Sequence, residues 1–225
     1  MQDLLPHQHV LIGPHALGGD LVLPPQTQGL VVFAHGSGSS RLSPRNQQVA
    51  RALNDAGLAT LLFDLLHPDE ALHRRNVFDI DLLGQRVVET IDWLDRYPAL
   101  AATPLGLFGA STGAAAALAA AAQRPRRVSA IVSRGGRPDL ASPILAQVVA
   151  PTLLIVGGDD SDVLALNRTA LAQLSRRCDL AVVPRARHLF EEPGALEVVI
   201  QLARRWFAHH LVARSSGTPP RLAPA

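Results

Sequence analysis

Short runs of aliphatic and β-branched residues alternate along this chain with longer stretches in which apolar side chains recur every three or four positions. Leu30, Val31, Val32, Phe33 and Ala34 form an unbroken apolar run between Gly29 and His35. Such a run marks a strand covered on both faces, since a strand with one wet face would alternate. Residues 59–65, 105–108, 128–133, 152–156 and 180–183 read as further strands, and residues 10–13 and 16–23 as an opening antiparallel pair. Between them, residues 79–96 carry Ile80, Leu83, Val87, Ile91 and Leu94 at helical spacing. A helix is also predicted from Ser43 to about residue 56, with Ser43 as its cap and Pro44 at its first position. Residues 114–122, 164–174 and 195–210 complete the helices, the first of them so rich in alanine that it can lie close against a sheet. Strand alternating with helix predicts an α/β fold with a mostly parallel central sheet flanked by helices.

At 225 residues, 48% of them hydrophobic, the chain can bury one full core. A single domain over residues 1–212 is expected, with a flexible tail rich in Pro, Ser and Gly over residues 213–225. No apolar run of signal-peptide type follows Met1-Gln2-Asp3, and no stretch approaches the roughly 18 apolar residues of a membrane span, so a cytoplasmic location away from membranes is expected. Cys178 is the only cysteine, which excludes an internal disulfide or a multi-cysteine metal site; it reads as packing at a strand edge. The formal net charge is only +2, the strongly basic residues are all arginine, and their pairs are scattered, with one Tyr and two Trp to stack on bases. A nucleic-acid platform is therefore not expected. The expected partner is a small molecule, without metal or cofactor, and a homodimer is left open.

One motif changes this picture. Gly109-Ala110-Ser111-Thr112-Gly113 lies between a predicted strand and a predicted helix. A nucleophile presented on so tight a turn strains its backbone, and side chains two before and two after would crowd it, so glycine at both places relieves the clash. The turn also sets Ser111 at a helix N-terminus, where free amides and the dipole favour developing negative charge. The competing reading is an ordinary turn, since Gly and Ser are common in turns.

Serine is a poor nucleophile without a base, and the base needs an acid to orient it. Asp160 stands in the loop beyond the strand at 152–156, and His188 in the loop beyond the strand at 180–183, giving the chain order Ser, Asp, His. Both fall on the carboxyl edge, where open parallel sheets place their ligands. Asp159 and Asp162 are the alternatives to Asp160 and could instead cap the next helix. His188 could be a surface-loop histidine, one of nine in the chain. The amide of Ser37, in the His35-Gly36-Ser37-Gly38 loop, pairs with that of Thr112 as a candidate oxyanion hole, against the plain reading of a Gly-Ser loop; His35 reads as a residue that pins this loop by hydrogen bonding. Arg41, Arg45 and Arg134 lie near the same edge. They could hold an anionic substrate group, or they could pin loops by pairing with Asp64, Asp139 or Glu191.

Several blocks together carry a family resemblance: residues 33–41 with Ser43-Pro44-Arg45-Asn46, residues 108–113, residues 133–139, and His188-Leu189-Phe190-Glu191-Glu192-Pro193-Gly194. Across nearly its whole length the chain resembles the small bacterial serine hydrolases of dienelactone-hydrolase-like type. The resemblance implies an α/β-hydrolase fold. Some members are fused to a phosphoribosyltransferase domain, which none of these 225 residues resembles. True dienelactone hydrolases carry cysteine at the turn where this chain has Ser111, which leaves the substrate open. No long insertion separates residue 128 from residue 152, so little or no lid is expected, and an open pocket suits small or medium esters, lactones or thioesters. Two other readings stand beside hydrolysis: acyl transfer to an alcohol or amine, and a non-catalytic or regulatory binding module on the same scaffold.

Overall fold

The unbroken apolar runs of the central strands lie buried along their length, because helices cover both faces of the sheet there, whereas the run at residues 180–183 forms an edge strand that leaves Val182 exposed. The computed structural model describes residues 7–97, 100–174 and 177–211. Its sheet has eight strands in the order β1-β2-β4-β3-β5-β6-β7-β8: β1 (His7–Ile12), β2 (Leu17–Val22), β3 (Gly29–Ala34), β4 (Leu58–Phe63), β5 (Leu105–Ala110), β6 (Val128–Arg134), β7 (Thr152–Gly157) and β8 (Cys178–Val183). Neighbours from β4 through β8 pair in parallel, and β2 pairs antiparallel with both β1 and β4. The expected opening hairpin is therefore present. Its first strand starts earlier than the sequence suggested, because His7-Gln8-His9 lies exposed on an edge and shows no apolar pattern.

Helices α1 (Pro44–Asn54) and α7 (Ala195–Leu211) cover one face. There Val31, Phe33 and Phe108 meet Leu53, Val199 and Phe207 in one apolar cluster. On the other face lie α4 (Ile80–Asp95), α5 (Thr112–Gln123), the 3₁₀ segment Pro138–Gln147 and α6 (Ser161–Leu171). Val32, Leu61 and Leu107 pack there against Val87, Ile91 and the alanines of α5. Two short helices, α2 (Pro68–Ala71) and α3 (Arg74–Val77), fill the connection between β4 and α4.

The long helices begin and end close to where periodicity placed them, with Ser43 and Asp79 accepting from the amides of Asn46 and Leu82 as caps. α6 begins earlier than the predicted start at 164, because the loop after β7 turns directly into it. Residues 138–147 make a 3₁₀ segment packed on α5 and α6, which supplies no lid. The expected tail over residues 213–225 lies outside the described residues. Among the described residues no helix is long and apolar enough to cross a membrane.

Candidate active site

β5 ends at Ala110 and α5 begins at Thr112, so Ser111 alone makes the turn, at φ 51° and ψ −122°. A left-handed φ is costly for a residue with a side chain and persists only where its surroundings enforce it. The enforcement is visible. The Ser111 amide donates to the Arg134 carbonyl at 3.2 Å, and the Ser111 carbonyl accepts from the amides of Ala114 and Arg137, each at 3.1 Å. A Cβ on Gly109 would lie 2.4 Å from Ala114 Cα, and one on Gly113 would lie 2.2 Å from the Ala34 carbonyl oxygen. Glycine at both places follows from the closeness of helix and sheet.

His188 lies in the loop beyond β8, with Nδ1 2.7 Å from Asp160 Oδ2 and Nε2 3.3 Å from Ser111 Oγ. The carboxylate accepts from Nδ1–H, which leaves Nε2 as the acceptor facing the serine hydroxyl. Asp160 occupies the N-cap position of α6 without capping it, its side chain being turned to His188. The loops that carry Asp160 and His188 are stapled by backbone bonds from Gly158 to the Val183 carbonyl (2.8 Å) and from Asp159 to the Ala186 carbonyl (2.9 Å). They approach so closely that a Cβ on Gly157 would sit 2.3 Å from the Ala186 oxygen.

The loop after β3 comes down beside the turn, where a Cβ on Gly36 would lie 3.0 Å from both Ser111 Cβ and the Ala110 oxygen. The Ser37 amide has no partner among the described residues. That of Thr112, at the first position of α5, belongs to the helix amides that lack an intrahelical acceptor. His35 fixes this loop: Nδ1–H donates to the Gly36 carbonyl at 3.0 Å, and Nε2 accepts from the Leu65 amide at 3.1 Å. Desolvation holds its pKa below the ordinary 6.5, which favours the neutral ring that both bonds require.

The three arginines separate. Arg41 is tied to Asp64 through both its amide and its guanidinium, and its Nε lies 3.2 Å from Asp20. Arg45 meets Glu191 at 3.1 Å. Arg134, 7% exposed, meets no carboxylate among the described residues: Nη2 donates to Asn46 Oδ1 at 3.4 Å, and the guanidinium stands 5.9 Å from the Phe190 ring centroid. Burial, with Arg45 nearby, lowers its pKa to about 10, so it stays cationic at neutral pH.

Two cavities meet at the Gly36 to Ser39 loop. A smaller one, about 350 Å³, is lined by Ser111, His188, Leu189, Arg45 and Arg134. A larger one, about 810 Å³, lies across the loop under α2 and α3 and is walled by Leu42, Leu66, Leu72, Val77 and Phe78, with Arg41 and Thr112 also on its lining. Sequence reasoning placed no element between the strand at 59–65 and the helix at 79–96, and so missed this wall. It also missed Asn46, which faces Arg134 from α1. A polar residue on the inward stripe with Val49, Ala50 and Leu53 was the available signal. Among the described residues no group of three or more His, Cys, Asp or Glu stands where it could hold a metal ion.

The family model of the alpha/beta hydrolase fold matches residues 29–176. The crystal structure of a dienelactone hydrolase from Anabaena variabilis ATCC 29413 is 54% identical, covering 94% of this chain and 100% of that one with a TM-score of 0.89. Est1E from Butyrivibrio proteoclasticus shares the fold at 16% identity, with 90% and 98% of the chains covered and a TM-score of 0.76. A protein of Mycobacterium tuberculosis (strain ATCC 25618 / H37Rv) named for phosphoribosyl transfer is 58% identical over 202 residues, 90% of this chain. This chain spans 46% of that relative's length.

Proposed function

Because the chain belongs to the alpha/beta hydrolase fold family, we propose that it is a serine hydrolase that cleaves a small or medium ester, lactone or thioester through an acyl-enzyme on Ser111. The observation that carries this reading is the continuous relay from Asp160 to His188 to Ser111, at 2.7 and 3.3 Å. His188 Nε2 takes the Ser111 proton as Oγ attacks the acyl carbon, and Asp160 orients the ring and stabilises the imidazolium. The oxyanion is received by the amides of Ser37 and Thr112, each such donor being worth about 3 to 4 kcal/mol of transition-state stabilisation in acyl transfer. His188 then protonates the leaving group. Water attacks the acyl-enzyme with the same ring as base, which restores the serine. The locked turn at Ser111 supports the reading further, since it holds Oγ in place before substrate arrives.

The test is hydrolysis of p-nitrophenyl acetate and butyrate by the wild type and by Ser111→Ala, both checked for folding by circular dichroism. The variant should lose a factor on the order of a thousand or more in kcat/KM, and a fluorophosphonate should label only the wild type. Equal rates in the two folded proteins would refute the serine mechanism.

A further inference from the structure

In the first step of an acyl transfer, His188 hands the proton it took from Ser111 to the leaving oxygen or sulfur. The leaving group must therefore lie in the cavity that His188 lines, which is the smaller one. On the opposite side of the tetrahedral carbon the neighbouring space is the larger cavity, which Ser111 and His188 do not line and which comes up to them through Thr112 and the Gly36 to Ser39 loop. The chemistry of the relay thus orients the substrate across two cavities of different character.

Arg134 lines the leaving-group side in a condition that calls for an anion. It is 7% exposed, its Nε is buried without a hydrogen-bond partner, and among the described residues no carboxylate pairs with it. Asn46 takes one Nη2 contact and the Phe190 ring faces the guanidinium, so both contacts set its orientation without neutralising its charge. A buried cation without a counter-charge is costly and is relieved when a partner anion docks. Arg45, in the same cavity, brings a second cation whose only carboxylate is Glu191, with a side chain that is 65% exposed. An ion pair that exposed is weak and exchanges readily for a better-placed anion. The acyl side has the opposite character. Leu42, Leu66, Leu72, Val77 and Phe78 present a broad apolar surface, and of the charged residues at its margin Arg41 and Asp64 are already paired with each other.

Resting on the serine-hydrolase reading above, we infer that the preferred substrate has a fixed polarity: an apolar acyl group of medium size joined to an alcohol or thiol that carries an anion, held by Arg134 and Arg45. Attack by Ser111 Oγ on the acyl carbon breaks the bond to the leaving oxygen or sulfur, which departs with the serine proton as a neutral alcohol or thiol bearing its anionic group. Water then releases the apolar acid and returns a proton to Ser111.

Matched esters test this, each rate being divided by that of the uncatalysed reaction. The wild type should show kcat/KM about tenfold or more higher for 4-(hexanoyloxy)benzoate than for phenyl hexanoate, as a charge-assisted contact allows. Arg134→Gln and Arg45→Gln should each bring that ratio towards one. p-Nitrophenyl hexanoate should exceed p-nitrophenyl acetate by a similar factor, and Ala71→Trp, which narrows the larger cavity, should reduce that second ratio. The wild-type ratios and Arg45→Gln carry the test if Arg134→Gln does not fold. Wild-type ratios near one overturn the inference, as does a preference for p-nitrophenyl hemisuccinate over p-nitrophenyl butyrate, which would place the anion on the acyl side. If no ester is cleaved and Ser111 resists the fluorophosphonate, the hydrolase reading itself fails. Ser111-dependent cleavage without polarity removes this inference alone.

Discussion

The floor of the cleft, where β5 turns into α5, and its outer wall, residues 64–79, differ in how much of their shape is settled by backbone sterics. At the floor, the main chain of α5 approaches the ends of β3 and β5 so closely that no Cβ fits at Gly109 or Gly113. Ser111 is held by three backbone hydrogen bonds in a conformation it would otherwise avoid. The wall is a pair of four-residue helices with no buried residue of their own. It is kept in place by side chains: Glu70 accepts from Arg86 at 2.8 Å and from the His67 amide at 2.8 Å, and Asn76 donates to the Glu70 carbonyl at 2.9 Å. A serine nucleophile needs a fixed position, and a surface for an apolar group needs area more than precision. The rigid part of the cleft accordingly lies where the proposed mechanism makes and breaks bonds.

That contrast predicts that adding one methyl group at the floor does more damage than deleting a charge from the wall. Gly113→Ala would put its Cβ 2.2 Å from the Ala34 oxygen and 2.4 Å from the His35 oxygen, both main-chain atoms that cannot rotate away. A loss of about 3 kcal/mol or more is expected, read as a fall in denaturant midpoint or as insoluble expression. A variant as stable as the wild type would show that helix and strand can part without cost. Glu70→Ala should cost less, about 2 kcal/mol. It leaves Arg86, 5% exposed, with only the more distant Glu89 at 3.6 Å. Limited proteolysis should then cut first within residues 64–79, with the floor intact. Global unfolding before any such cut would erase the distinction between the two regions.

The same contrast explains which parts of the structure could be read from the sequence. The turn at Ser111 was legible because its constraint is local: a few residues must be small for a reason that steric chemistry states. The strands and their mostly parallel sheet followed from apolar runs alternating with helices, while the order of the strands did not; the proposed acid and base were found from their places after β7 and β8. Asp160 and its alternative Asp159 stand side by side in one loop, and what separates them in the structure is direction, since Asp159 contributes an amide to Ala186 while the Asp160 side chain turns to His188. The wall was not legible, because helices of four residues are too short to show a period. Pro143 sits inside a 3₁₀ segment that the apolar pattern also hid. Two of the arginine partners were among those the sequence offered, Asp64 for Arg41 and Glu191 for Arg45, but that of Arg134 was out of reach: it meets Asn46 across 88 positions of sequence, a contact that exists only once the fold brings α1 to the end of β6.

His35 joins the two regions, and its titration gives the smallest and most specific prediction. One ring nitrogen holds the loop that carries Ser37, while the other accepts from Leu65 at the start of the wall. Protonation removes that acceptor and breaks the second bond. Because desolvation lowers the folded-state pKa below 6.5, the unfolded chain binds more protons than the folded one as the pH falls through this region. Stability attributable to His35 is therefore full above the ordinary histidine pKa, declines as the pH drops below about 6.5, and reaches its lower limit beneath the folded-state value. His35→Gln keeps an acceptor for Leu65 but cannot titrate. Calorimetric melting of both proteins between about pH 7.5 and pH 5 should show the wild type losing Tm faster on acidification, so that its advantage over the variant shrinks. A difference that stays constant over this range would mean that His35 does not link the floor to the wall through its neutral ring.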